Sequence, residues 1–183
     1  MAASYSTKTP LASDSWQMVA LTIKWPAPMS FAAMRDQFDG DQVVLENALP
    51  FLLHGIYQRI RGVTYREFNQ QGLELTPEQW IVLARLWQRD GRTVSELSES
   101  TFRDKPTMSR ILDSMEKSGL VTRTVDRKDA RTRIIALTRE GKAARKKLVP
   151  IAKSIVDRLE AGIPEQDLLT TRRTLRRLFE NLA

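Results

Sequence analysis

The 183-residue chain contains no cysteine. That removes disulfides, thiolate metal ligands, thiol oxidation switches and cysteine nucleophiles together. Histidine occurs once, at His54, which leaves little for imidazole metal sites or histidine acid–base catalysis. No glycine-rich phosphate loop stands out, and no pair of carboxylates lies beside a base, so a catalytic set cannot be assembled. No apolar run reaches the roughly eighteen residues that argue for a membrane-spanning helix. The opening residues lack the basic segment and apolar core of a secretory signal. These absences point away from an enzyme, a metalloprotein, a cofactor carrier or a membrane protein. The expectation is a cytoplasmic protein that works by binding.

What the chain does have is positive charge, unevenly placed. Its net charge is +7, from 29 Lys and Arg against 22 Asp and Glu. Residues 91–150 hold fifteen Lys and Arg against eight Asp and Glu, and the remainder holds fourteen of each sign. All of the excess thus sits in one third of the sequence, as expected of a nucleic-acid face. Hydrophobic residues make up 42% and charged residues 28%, a globular balance at a length suited to one domain.

Residues 1–40 read as a leader or arm, in which Val19, Leu21, Ile23 and Trp25 alternate like a short strand. "DGD" at 39–41 is taken to start a long helix over 41–71. Its buried stripe is set by Leu45, Leu49, Leu52, Ile56, Ile60 and Val63, with Pro50 bending it or marking an earlier helix end. "LTPEQW" opens a second helix with Thr76 as N-cap, Pro77 in the first turn and Gln79 completing a capping box; Gly91 ends it. Thr93 and Glu96 repeat the box ahead of a short helix to about Ser100. A turn leads to a helix in which Met108, Ile111, Leu112 and Met115 share a buried face and which Gly119 terminates. "LVTRTV" and "TRIIALT" flank the charged "DRKDARTR" as two strands of a hairpin. Two further helices follow, over about 138–161 and from "IPEQD" onward. The fold class is mainly α with a small β-hairpin wing: a winged helix-turn-helix plus a helical dimerisation region.

A short helix, a tight turn and a second helix form a helix-turn-helix, whose second helix enters the major groove. Opposite its buried face that helix presents Pro106, Thr107, Ser109, Arg110, Asp113 and Lys117. Small side chains let the helix approach the bases, and Arg110 can reach guanine edges or phosphate. The hairpin beside it reads as a wing whose tip offers Arg127, Lys128, Asp129, Arg131 and Arg133 to the minor groove. Asp129, two residues before Arg131, can hold its guanidinium by a bidentate hydrogen bond and fix its direction.

"LTPEQWIVLARLW", "TVSELSES", "KPTMSRILDSMEKSGLV" and "DRKDARTRIIALTREGK" follow in an order and spacing that resembles the winged-helix repressors of the multiple-antibiotic-resistance regulator (MarR) family. The likeness covers roughly residues 41–182 and is most specific at Asp129, Arg131, Leu137 and Thr138, which match that family's wing. It implies an obligate homodimer, built from the first and last helices, that binds near-palindromic double-stranded DNA operators. It makes Arg131 the minor-groove arginine with Asp129 as its orienting partner, and puts Pro106, Thr107, Ser109 and Arg110 at major-groove positions. The organisation it implies is a leader over 1–40, a dimerisation helix over 41–75, the winged helix-turn-helix over 76–137 and C-terminal dimerisation helices over 138–183. The leader is longer than such proteins usually carry, and it is either a functional arm or a dispensable extension.

A small-molecule effector would separate a ligand-responsive repressor from a ligand-independent architectural DNA-binding protein. The resemblance implies a pocket where the first helix, the Trp80 helix and the long 138–161 helix meet. His54, Tyr57, Arg61 and Tyr65 share one helical face, a polar-aromatic stripe with a cation suited to an aromatic carboxylate. Trp80 is taken as a further effector contact; the stripe also reads as an exposed or dimer-contacting face, and Trp80 with Trp87 as core. No metal or cofactor is expected.

Overall fold

The computed structural model describes residues 38–39, 42–43, 45, 48–126 and 129–182. The alternating stretch at 19–25 lies outside them. The chain divides after Gln70 into two compact units.

In the first unit, β1 (Phe38–Asp39) pairs antiparallel with β2 (Gln42–Val43), Phe38 opposite Val43 and Asp39 opposite Gln42. The helix α1 then runs over Leu49–Gln70. The start expected at 39–41 is therefore incorrect. A polar, Gly-containing run is a hairpin signal as much as a helix signal, and here Asp39 pairs with Gln42 as a strand residue. Pro50 neither bends nor ends the helix. It lies in the first turn, where a missing N–H costs nothing and its fixed φ favours the start. The expected buried stripe is also corrected. Ile56 is 49% and Leu45 51% exposed, and the buried residues of α1 are Thr64 and Phe68. The apolar spacing is real, but a single chain leaves much of that face uncovered.

The second unit contains α2 (Pro77–Gln88), β3 (Arg92–Thr93), α3 (Val94–Ser100), α4 (Lys105–Lys117), β4 (Val121–Val125), β5 (Arg133–Leu137), α5 (Arg139–Glu160) and α6 (Glu165–Glu180). Both expected capping boxes form. Thr76 Oγ1 accepts from the Gln79 N–H while Gln79 Oε1 accepts from the Thr76 N–H, and Thr93 and Glu96 do the same. The Thr93 backbone N–H, and then the Arg89 side chain, hold the Glu96 carboxyl below its ordinary value. Gly119 ends α4 at φ +68, a left-handed conformation that costs glycine little.

The strands form an antiparallel sheet in the order β3-β5-β4. The third strand was not expected. Arg92 and Thr93, just past the end of α2, pair with Ile135 and Ile134. Beneath the sheet lie Val82, Leu83 and Leu86 of α2, Leu97 of α3, and Met108, Leu112 and Met115 of α4, all sealed from solvent with Val121 and Ile135. Each such side chain contributes about 1.5–3 kcal/mol by leaving water. The spacing of Met108, Leu112 and Met115 turns one face of α4 inward and so leaves the other outward.

The start of α5 is fastened to this core. Trp87 Nε1 donates to the Gly141 carbonyl at 3.0 Å, and Thr138 Oγ1 accepts from the Gly141 N–H while donating to the Gly119 carbonyl. Asp90 Oδ1 accepts from the Leu137 N–H at 2.9 Å, and its other oxygen lies 3.5 Å from Lys142 Nζ. The last helix, α6, has no buried residue. Its Phe179 packs edge-to-face on Phe102, which occupies the helix-turn-helix turn at φ 56.

Candidate nucleic-acid interface

The first turn of α4 is organised by a residue that the sequence reading passed over. Asp104 is the N-cap. Its Oδ1 accepts from the Thr107 N–H at 2.7 Å and its Oδ2 from the Thr107 hydroxyl at 2.8 Å. Those two bonds, in that order of size, hold its carboxyl below the ordinary value. An Asp two residues ahead of Pro106 was a legible cap signal. Thr107 therefore donates its hydroxyl proton to the cap, leaving the oxygen to accept. Pro106 and Arg110 are exposed, and Ser109 is half-buried.

Asp113, expected on the groove-facing side, is engaged elsewhere. Its Oδ1 lies 2.6 Å from Nη2 of Arg123, a β4 residue whose side chain reaches across to α4. The same Nη2 donates to the Ser109 carbonyl at 3.1 Å, and Arg123 Nε lies 3.5 Å from Glu116 Oε2. A second tie joins α2 to α4, where Gln79 Nε2 donates to Ser114 Oγ at 3.1 Å. Nothing local in the sequence announces Arg123, because its partners lie on another element.

At the wing, the strands pair from Val121 with Leu137 out to Val125 with Arg133. Beyond them the Asp126 N–H donates to the Thr132 carbonyl at 3.0 Å, and the Thr132 N–H to the Asp129 carbonyl at 2.9 Å. The Asp129 carboxylate accepts from the Arg131 backbone N–H at 2.9 Å and from the Thr132 hydroxyl at 2.8 Å. These bonds, the first larger, hold its carboxyl below the ordinary value. The bidentate hold on the Arg131 guanidinium is thus corrected. Asp129 orders the backbone that carries Arg131, as an Asx turn does, and the exposed guanidinium is not its partner. Arg133 Nη1 donates to the Ala130 carbonyl at 2.9 Å. Arg127 and Lys128 lie outside the described residues.

The remaining expected residues divide between the units. His54, Tyr57, Arg61 and Tyr65 lie on α1, the first two exposed and the others half-buried, with Gln58 Nε2 3.5 Å from His54 Nε2. Trp80 lies on α2, half-buried and edge-to-face with Trp87 at 5.6 Å.

An outward recognition helix followed by a wing with an arginine at its tip is a duplex-reading arrangement. A family model described as MarR family matches residues 75–132. Over 154 residues the chain is 32% identical to the organic hydroperoxide resistance transcriptional regulator of Bacillus subtilis, spanning 81% of this chain and 97% of that protein. The chain belongs to the MarR family. Being MarR-type, it is a DNA-binding transcriptional regulator. A MarR family regulator from Silicibacter pomeroyi matches its fold at a TM-score of 0.65, with 28% identity over 80% of this chain and 97% of that one. CouR from Rhodococcus jostii RHA1 matches at a TM-score of 0.64 and 24% identity over 74% of this chain and 94% of that one, a likeness of fold alone.

Proposed function

We propose that this MarR-family chain is a repressor that works as a homodimer on a near-palindromic operator and is released by a small effector. The observation that carries the DNA half is the exposure, within one compact unit, of Arg110 on the outward face of α4 and Arg131 at the wing tip. Pro106, Thr107, Ser109 and Arg110 meet the major groove. Arg131 and Arg133 meet the minor groove, on a loop that Asp129 orders, with the charges of Arg127 and Lys128 adding to the attraction.

The dimer reading is supported by apolar side chains left largely exposed in the single chain. Leu169, Phe179 and Leu182 near the C-terminus are 50%, 60% and 90% exposed. Open apolar faces of this kind mark association surfaces, and two-fold pairing would set two recognition helices about 34 Å apart, one helical turn of DNA.

The effector is a small aromatic acid, taken by the α1 stripe of His54, Tyr57, Arg61 and Tyr65. Those residues offer stacking surface, donors and a positive charge. CouR is bound to p-coumaroyl-CoA, which carries an aromatic acyl group. With no cysteine in the chain, release by thiol oxidation is closed to it.

A screen of aromatic carboxylates against the protein–DNA complex tests the reading. At least one is expected to lower DNA affinity, and His54→Ala or Arg61→Ala to blunt that response while leaving unliganded binding within about twofold, under 0.5 kcal/mol. If no compound alters binding, the architectural alternative stands. Loss of DNA binding in these variants assigns the stripe to folding or pairing instead.

A further inference from the structure

Arg123 is the one side chain seen to join the wing to the recognition helix by charge, among the described residues. It sits in the middle of β4, opposite Ile135, and its side chain is only 25% exposed. Its three partners, Ser109, Asp113 and Glu116, are spaced by four and three residues on α4 and so form a single row along that helix. A planar guanidinium can serve several acceptors along such a row at once, whereas an ammonium acts as a point charge. Rotating α4 about its axis, or tilting the hairpin against it, would break at least one of the three contacts. The row borders Arg110, and β4 leads directly into the loop that bears Arg131. The same group also pairs with two carboxylates on the helix that approaches DNA and offsets one of their two negative charges.

We propose that Arg123 is a positioning residue for DNA recognition: it sets the angle between wing and recognition helix, so that Arg110 and Arg131 address adjacent grooves of one duplex as a rigid pair. This rests on the DNA face described above. The mechanism is geometric. Non-specific phosphate contacts tolerate a mis-set angle, whereas base-edge contacts in two grooves do not, so the angle is expressed in specificity.

The test uses the full-length protein and two duplexes, one enriched from a random-sequence library by the wild-type protein and one unselected. Arg123→Gln and Arg123→Lys are expected to lower the ratio of the two affinities by roughly tenfold, the size of one lost specifying contact. Lysine retains the charge, so a purely electrostatic role would be rescued by Arg123→Lys and would weaken both duplexes alike in Arg123→Gln, leaving the ratio unchanged. That result overturns the proposal. Should Arg123→Gln fail to fold, the Lys variant, checked by its melting curve, decides alone. Arg110→Ala and Arg131→Ala are measured on the same duplexes. If they too leave the ratio unchanged, the DNA face itself is misassigned. If they lower it while the Arg123 variants do not, only the positioning role falls.

Discussion

At its base the β4–β5 hairpin pairs Val121 with Leu137, 1% and 8% exposed, while at its tip Arg131 stands in solvent on a loop tied by the Asp129 carboxylate. The base is closed by packing and by backbone. Thr138, Gly141 and Trp87 bind one another's chain there, and the Thr138 N–H donates to the Leu120 carbonyl. The tip is held by hydrogen bonds between residues no more than six positions apart. Distant parts of the unit therefore converge on the base, which sets where α5 begins. The tip carries little packing and can devote its side chains to a partner. A substitution at one end should leave the other end's property alone.

The largest expected effect is at the base. A Cβ on Gly141 would lie 2.1 Å from the Leu120 carbonyl oxygen and 3.2 Å from Leu137 Cδ2. Backbone on a strand's edge cannot yield as a flexible side chain does, so Gly141→Ala should destabilise the fold by about 3 kcal/mol in urea unfolding, the upper end of ordinary overpacking. In an open helix the same change stabilises by about 1 kcal/mol. A gain would show that the base is not closed.

Next comes the tip. Arg131→Ala should weaken binding to a selected duplex by about 1–3 kcal/mol. Its urea unfolding curve should stay within about 0.5 kcal/mol of wild type, as for a surface change away from packing. A fall in stability equal to the fall in affinity would erase the contrast between the two ends. Unchanged affinity would remove the wing from the DNA face.

The smallest effect sharpens the tip itself. The Arg131 N–H, then the Thr132 hydroxyl, lower the Asp129 carboxyl below its ordinary value of 3.8. A carboxyl lowered on folding contributes its order in full above that ordinary value and loses it as pH falls through the lowered one. The Arg131 amide resonance should therefore titrate below pH 3.8 and be flat near neutrality. A midpoint at or above the ordinary value would mean that the carboxylate does not hold the loop.

Several features were readable from the sequence because they rest on neighbours. Thr76 with Gln79 and Thr93 with Glu96 close their boxes over three residues. Met108, Leu112 and Met115 face inward by helical period. The wing's strands flank the charged run on either side, and the exposed Arg131 falls at its tip. The misreadings are of another kind. Pro50 and Asp-Gly at 39–40 each suit either a start or a stop, so local pattern could not rank them. Asp129 was expected to hold the Arg131 guanidinium, but two geometries were open to it, and the nearer backbone N–H took the bond.

By itself, then, the sequence determined the helices of the second unit, the caps of α2 and α3, the inward face of α4 and the charged tip, since each depends on residues within about two helical turns of one another. Only the tertiary structure decided that Arg92 and Thr93 would pair with strand residues some forty positions on, that Trp87 would reach Gly141, and that Asp113 would turn from the groove to Arg123. A guanidinium in a sequence has every carboxylate as a possible partner. Packing of the core brings a few within reach, and the half-buried setting of Arg123 makes leaving its charge unpaired costly enough to settle the choice.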